Sequence, residues 1–334
     1  QPPPPNHFPT SPHLKPIIIP WPRLWTHFRL ALELHRHPPD IFFTPAHVIP
    51  FTYRRPSIAT IHDLGYHHFP TAHPPAQRRQ LLWSTQHNAH RARHIITDSD
   101  ATKKDIHHFY HTPLAKMTTV YPGPTPELAP VTDMGVITAV LHRLNLPSPY
   151  FLYLGTLQPR KNLVRLIHAY AAYSRQTPAP HALILAGRQG WLATDILNTL
   201  DTLPPTIRQQ IHLPGYIAET DKAPLLSGAT ALLFPSLYEG FGFPILEAQT
   251  CHTPVLTANN SSLPEVAAQS AHIVPATDTD ALTQALLRLA QDQTYRQQLI
   301  TAGQQNITRF SWPQAAQQTL TLLEQHASHQ KHHK

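Results

Sequence analysis

Between residues 150 and 275 the chain alternates short, almost uninterrupted apolar runs with longer stretches whose apolar positions recur every three to four residues. The runs are YFLYLGTL, HALILAG, IHLPGYI, ALLFPS, PVLTAN and AHIVPA, and helices are expected from Asn162, Trp191, Asp221, after Gly242, and from Thr279. Apolar strands set between amphipathic helices are what a parallel sheet covered on both faces requires. A second alternation lies in front of it: DIFFTPA, SIATIHDL, HIITDS and MTTVYP read as strands, with AQRRQLLWSTQHNAHRAR as the helix between the second and third. A Pro-rich connector, YPGPTPELAP to LNLPSPY, separates the two, and turn chemistry puts the boundary near Pro147 to Tyr150. The expected division is a lead-in over 1–15, a first unit over 16–147, a second over 148–310, a closing helix over 311–328 that crosses back to the first unit, and a disordered tail over 329–334. The fold class is α/β, with two doubly wound Rossmann-like units. In such sheets ligands bind outside the carboxyl ends of the strands.

Length and composition change this picture only at its edges. At 334 residues two cores are the default, and no run approaches the ~18 apolar residues that a spanning helix needs. Charged residues are 13% of the chain, while 26 His and 37 Pro are scattered without ligand spacing, which reads as a compositional bias of the source. The single cysteine, Cys251, excludes an internal disulfide and a cysteine-based zinc cluster, and fits a reducing, cytoplasmic setting. QPPPPNHFPTSPHLKP lacks the order of a signal peptide and reads as a polyproline lead-in. The net charge of +7 is uneven: residues 1–130 hold 13 Lys or Arg against 7 Asp or Glu, and residues 131–334 hold 13 against 12. The cations come as isolated pairs, Arg54-Arg55, Arg78-Arg79 and Lys103-Lys104, without the clustering a nucleic-acid site needs. A solvated basic face is one reading; attraction to an anionic membrane surface or a phosphate-bearing acceptor is the other.

Three strand ends carry candidate chemistry. In FPSLYEGFGFPILEAQT a strand is followed by a glycine turn, then by Pro244 at a helix start, with Glu239 before the turn and Glu247 after it. A helix N-terminus suits a diphosphate, and two carboxylates bracketing it would accept hydrogen bonds from sugar hydroxyls; alternatively Glu247 only satisfies the helix dipole and Glu239 is a solvated loop residue. In YLGTLQPRKNLVRLIHAY the strand ends at Gly155, and Arg160 and Lys161 precede Asn162, a good N-cap. Two cations stand at the unfavourable end of the dipole, so either an anion compensates them or they are exposed. In SIATIHDL, His62 ends a buried strand and faces the cleft, as a structural or a functional histidine.

These residues, with IHDL, ITDS…KKDI, PYFLYLGTLQPRKN, LILAGRQGW, PGYI, FPSLYEGFGFPILEAQTCHTPVLTANNSSLPEV and FSW, resemble the GT-B glycosyltransferases of glycosyltransferase family 4, in its bacterial mannosyltransferase-like branch. The resemblance spans residue 38 to the last helix and implies two domains facing a cleft. It implies Glu239 at the hydroxyls of the transferred hexose, Glu247 at the ribose, and Arg160 and Lys161 at the diphosphate. Thr156 stands after Gly155 where many relatives carry Arg, a role Arg160 would then take. His62 would lie near the reacting sugar carbon, the backbone of Gly242, Phe243 and Pro244 near the sugar and phosphates, and Gly187, Arg188 and Tyr216 near the nucleoside. Relatives open with a strand and a Gly-rich loop ahead of DIFFTPA; the Pro-rich stretch here implies a first domain lacking them. The implied reaction is a retaining hexose transfer, of mannose or glucose type, from a nucleotide diphosphate sugar to a glycan or lipid-linked acceptor, with no metal or other cofactor and no nucleic-acid partner. Asp98 and Asp100 have a metal-binding spacing, but Ser99 or Asp100 capping the next helix is the reading preferred. A nucleotide-sugar epimerase of the same architecture and a non-catalytic nucleotide-sugar-binding remnant stand as alternatives.

Overall fold

The computed structural model describes residues 12, 13, 15–19, 25–46 and 48–327. The lead-in over 1–15 falls almost wholly, and the tail over 329–334 entirely, outside the described residues. In the first unit β1 (Phe42–Thr44), β2 (Ser57–Ile61), β3 (His94–Thr97) and β4 (Met117–Thr119) form one parallel sheet in that order. Around it lie α1 (Ala31–Arg36), α2 (Gly65–His68), α3 (Pro75–Arg91) and α4 (Asp100–Tyr110). Register decides what meets at its carboxyl edge. Ile61 pairs with Thr97, so the next residues on the two strands, His62 and Asp98, emerge side by side.

The second unit is a six-stranded parallel sheet built from β5 (Tyr150–Leu154), β6 (Ala182–Ala186), β7 (Ile211–Gly215), β8 (Ala231–Phe234), β9 (Val255–Ala258) and β10 (His272–Val274). Its order, β10-β9-β8-β5-β6-β7, reverses between β5 and β8. That reversal opens a crevice at the strand ends, the usual ligand position of a doubly wound sheet. The helices are α5 (Met134–Arg143), α6 (Leu163–Gln176), α7 (Thr194–Asp201), α8 (Pro205–Arg208), α9 (Glu219–Ser227), α10 (Phe243–Thr250), α11 (Leu263–Ala267), α12 (Thr279–Gln291) and α13 (Gln293–Asn306). The interiors of the four central strands are buried, as in Phe151, Leu183, Ile184, Leu232 and Leu256, while the edge strands β7 and β10 are largely half-buried. Leu163, Leu166, Ile167 and Tyr170 put the buried stripe of α6 on the same core, and Leu282, Leu286 and Leu289 do so for α12.

Helix α5 precedes the expected boundary, yet Ile137, Val140 and Leu141 are buried in the core of the second sheet. The last helix, α14 (Trp312–His326), lies on the first sheet, with Ala315 and Leu322 packed among Ile58, Ile96 and Val120.

Three local expectations change. The helix expected from Trp191 starts at Thr194, because Leu192 takes a left-handed backbone (φ 59°) that breaks a first turn there. Asn162 sits before α6 at φ 62° without capping it. Its amide donates instead to the carbonyls of Pro235 (3.0 Å) and Ala276 (2.7 Å), tying β8 and β10 to the start of α6. Glu247 lies in the second turn of α10, beyond the orphan N–H groups of the first.

Candidate functional site

The site grows from the crevice between β5 and β8. After β8 the chain turns through Tyr238, Glu239 and Gly240 to Gly242, whose φ of 125° suits glycine, and enters α10 at Phe243 with Pro244 in its first turn. After β5 it makes one 3₁₀ turn, Pro159–Lys161, before α6. The two turns deliver three charges to one point. Glu239, 8% exposed, accepts hydrogen bonds from Lys161 Nζ (2.6 Å) and Arg160 Nη1 (2.8 Å). Arg160 Nη1 also donates to the Tyr238 carbonyl.

Burial alone would push the Glu239 carboxyl up; the Lys161 ammonium and the Arg160 guanidinium outweigh it and hold it below the usual range. Burial also lowers Lys161, opposed by Glu239. For Arg160 burial is opposed and overcome by Glu239. The anion that compensates these two cations within the chain is therefore Glu239.

Glu247 belongs to a separate set. It is 8% exposed and accepts from Thr125 Oγ1 (2.6 Å) and Lys222 Nζ (3.1 Å). Thr125 comes from the connector between the sheets and Lys222 from α9, so the dipole role read for Glu247 gives way to a side-chain pairing.

At the ends of β5 and β6 the backbones converge. A β-carbon on Gly187 would fall 1.9 Å from the Gly155 carbonyl oxygen, so only glycine fits, and Leu157 N–H donates to the Arg188 carbonyl (2.9 Å). Thr156 faces the same loop, its carbonyl accepting from the Tyr153 hydroxyl (2.9 Å). Tyr216 is 57% exposed, with the Arg188 guanidinium 4.6 Å over its ring. Phe243, 38% exposed, sits edge-on to Phe241 at 5.2 Å.

The first unit meets this site at Gly240. The Gly240 carbonyl accepts from Ser99 Oγ (2.6 Å) and Thr102 Oγ1 (3.3 Å), and Thr102 Oγ1 also donates to the His62 carbonyl (3.1 Å). A β-carbon on Gly240 would lie 2.2 Å from that His62 oxygen. The His62 backbone is thus brought against Gly240, the residue after Glu239, and its imidazole is held by Asp98 Oδ2 (2.6 Å at Nδ1) and the Pro45 carbonyl (2.8 Å at Nε2). The Asp98 bond is the main cause of its raised pKa, opposed by burial. A slot of about 250 Å³ opens next to it, lined by His62, Asp63, Tyr66, His73 and Thr85.

Asp98 and Asp100 do not converge: Asp98 holds His62, while Asp100 accepts from Thr119 Oγ1. Ser99 caps α4, accepting from Thr102 N–H (3.1 Å). Among the described residues no three His, Cys, Asp or Glu side chains form a metal-binding group.

Sequence reasoning missed Lys222, Thr125, the Asp98–His62 pair, the packing of the glycine turn against the first unit at Gly240 and two further links between the units. Tyr238 accepts from Leu64 N–H (3.2 Å) and donates to Asp105 (2.7 Å). Glu265 accepts from the N–H groups of Asp100 (2.7 Å) and Ala101 (3.1 Å) at the start of α4, and from the Tyr121 hydroxyl (2.9 Å). Only the Asp98–His62 pair had a readable signal, two polar residues ending adjacent strands.

Comparison with known proteins agrees with this geometry. Residues 141–306 match the family "Glycosyl transferases group 1" and residues 2–128 match "Glycosyltransferase Family 4". O-antigen chain mannosyltransferase B of Escherichia coli is 31% identical over 307 residues, covering 92% of this chain and 80% of that protein. Among solved structures, Anabaena HepE in complex with UDP-glucose superposes with a TM-score of 0.71 at 19% identity, over 89% of this chain and 81% of that one. The sucrose-phosphate synthase of Thermosynechococcus elongatus superposes at 0.69 with 22% identity, over 89% and 76%. The chain belongs to glycosyltransferase family 4 and is a glycosyltransferase of the GT-B fold.

Proposed function

We propose that the protein moves a hexose of mannose or glucose type, with retention and without a metal, from a nucleotide diphosphate sugar to a glycan or lipid-linked acceptor. The observation that carries this reading is the buried Arg160–Lys161–Glu239 set at the strand ends where the second sheet reverses. Cleaving a sugar–diphosphate bond puts negative charge on the leaving group, and fixed cations stabilise charge that grows in the transition state. HepE solved with UDP-glucose supports the donor class, and the E. coli O-antigen mannosyltransferase supports mannose. In this reading Arg160 and Lys161 take the diphosphate, and Glu239 exchanges its cations for hexose hydroxyls. Glu247 takes the ribose, and Gly155, Thr156, Gly187, Arg188 and Tyr216 form the nucleoside wall. The backbone of Gly242, Phe243 and Pro244 lies along the sugar and phosphates, and His62 faces the reacting carbon. Asp98 and Asp100 already have partners within the chain, which supports the metal-free reading.

The test is a thermal-shift panel of uridine and guanosine diphosphate sugars followed by product analysis with and without EDTA. Stabilisation by one donor, and a transferred sugar whose anomeric configuration matches the donor, are expected in both conditions. Inverted product, or activity lost to EDTA and restored by manganese, would refute the corresponding part.

The acceptor side is proposed to work at the cytoplasmic face of an anionic membrane. Trp83 (45% exposed) and Phe51 (38%) present an open aromatic face on the basic first unit, with Phe51 stacked on His27 at 3.8 Å and 4.3 Å from Trp83. Arg79 lies one turn before Trp83 on α3. Co-sedimentation with vesicles containing anionic lipid, weakened by Trp83→Ser, is expected; equal binding to zwitterionic vesicles would count against it.

A further inference from the structure

We propose that Asp98 is a positioning residue for His62, fixing the ring and keeping it as an imidazolium whose Nε2–H passes from the Pro45 carbonyl to an oxygen of the bound donor; this rests on the donor reading above. The inference starts from acceptors. A carbonyl oxygen can only accept a hydrogen bond, and so can an ionised carboxylate, so a ring with Pro45 O at 2.8 Å and Asp98 Oδ2 at 2.6 Å must donate from both nitrogens. An imidazole donating twice is cationic and has no lone pair with which to act as a base.

The arrangement is built by the fold. Register places His62 and Asp98 at adjacent strand ends, and Pro45 follows β1, the strand on the other side of β2. The His62 carbonyl is anchored by Thr102. The side chain remains about half exposed, so a ligand can reach it. Other titratable groups face it as well. Asp63 follows it in the chain and adds to its positive bias. Tyr66 of α2 and His73 line the slot beside it, and burial, first among its causes, keeps His73 below its ordinary pKa. Among the described residues Asp98 is the carboxylate in direct contact with the ring.

No covalent step is involved. The proton stays on His62, and the cation faces negative charge growing on the departing diphosphate. Glu239 pairs with both buried cations before the donor arrives, and Asp98 gives the first unit a positive group that is fixed in advance.

The test is nitrogen-15 NMR of His62 with variant Asp98→Asn, which keeps an acceptor at the same place but removes the charge. In the wild type both ring nitrogens should be protonated at about pH 7, and the ring should titrate above the ordinary histidine value. In Asp98→Asn it should titrate lower. Donor affinity by calorimetry should change less than about threefold, while kcat falls roughly tenfold at about pH 8 and recovers at about pH 6, the difference between a charged and a neutral hydrogen bond. A neutral tautomer in the wild type, or an unchanged titration in the variant, would overturn the proposal. If no nucleotide sugar bound the wild type, the donor reading would fall, and the titration would still decide the role of Asp98.

Discussion

At the scale of single residues, the question is what a charged side chain does before its ligand arrives. Lys161 and Arg160 are occupied by Glu239 at 2.6 and 2.8 Å, so the carboxylate and a diphosphate compete for the same cations. Lys161→Ala should therefore weaken nucleoside diphosphate binding by roughly tenfold to a hundredfold, the worth of one charge-assisted bond. Glu239→Gln should act in the opposite sense on that ligand. Its affinity for bare nucleoside diphosphate should hold or rise, while transfer falls by about the same factor. Calorimetry with diphosphate beside a transfer assay separates the two, and parallel losses in both variants would mean that the exchange does not occur. Glu247 has other partners, Lys222 and Thr125. Glu247→Gln should weaken donor and bare diphosphate alike, by roughly tenfold; a loss confined to the whole donor would place it on the sugar instead. Arg160, Lys161 and Glu239 were legible as candidates because residue type and position at a strand end announce them. Their mutual pairing was not, since 78 residues separate Lys161 from Glu239.

At the scale of elements, α14 shows how an amphipathic helix with no local signal for its target is placed by shape and charge. It covers the first sheet through Ala315 and Leu322, and His326 stacks on His94 of β3 at 4.5 Å. His94 donates to or accepts from Thr118 Oγ1 at 2.8 Å, and burial, with His326 and Lys103 adding to it, pushes its pKa down to about 4. Burial lowers His326 too. A lowered histidine binds its proton less readily folded than unfolded, so this contribution to stability is complete above about pH 6.5 and is lost as the pH falls from there toward 4. Acidification from about pH 7 to about pH 5 should loosen the helix, lowering amide protection factors over residues 312–326 by roughly tenfold, the equivalent of one pKa unit. His326→Phe keeps the stack without the charge and should flatten that response; protection that falls equally in both proteins would assign the effect elsewhere.

At the scale of the whole molecule the same sign recurs. His27, His67, His73, His87, His94, His181, His212, His272 and His326 are all lowered, each with burial as its first cause. His62 is raised, so its contribution runs the other way: present below about pH 6.5 and lost as the pH rises through its folded value. Among the described residues nine histidines stand against one, so the folded protein takes up fewer protons than the unfolded chain below about pH 6.5, and stability falls with acid. The Tm should drop by several degrees from about pH 7.5 to about pH 5.5, at about 2–4 °C for each kcal/mol lost in domains of this size. A Tm that rises over that range would show that carboxylate or net-charge effects outweigh the buried histidines.

By itself the sequence determined the elements: buried strands such as ALLFPS and YFLYLGTL, the stripe of α6, and the glycine turn before Phe243 all follow from local periodicity and backbone permissiveness. It also supplied Glu239, Arg160, Lys161 and His62 as residues at strand ends, where a doubly wound sheet binds its ligands. Tertiary structure alone decided which of them meet. Glu265 reaches the start of α4 from 165 residues away, the Gly240 carbonyl is held from the first unit by Ser99, and Asp98, whose spacing suggests a metal, holds His62 because strand order and register put them side by side. Periodic burial is a property of neighbouring residues and is written in their order. Pairing across units depends on sheet order, register and docking, which many sequences share and no short stretch encodes.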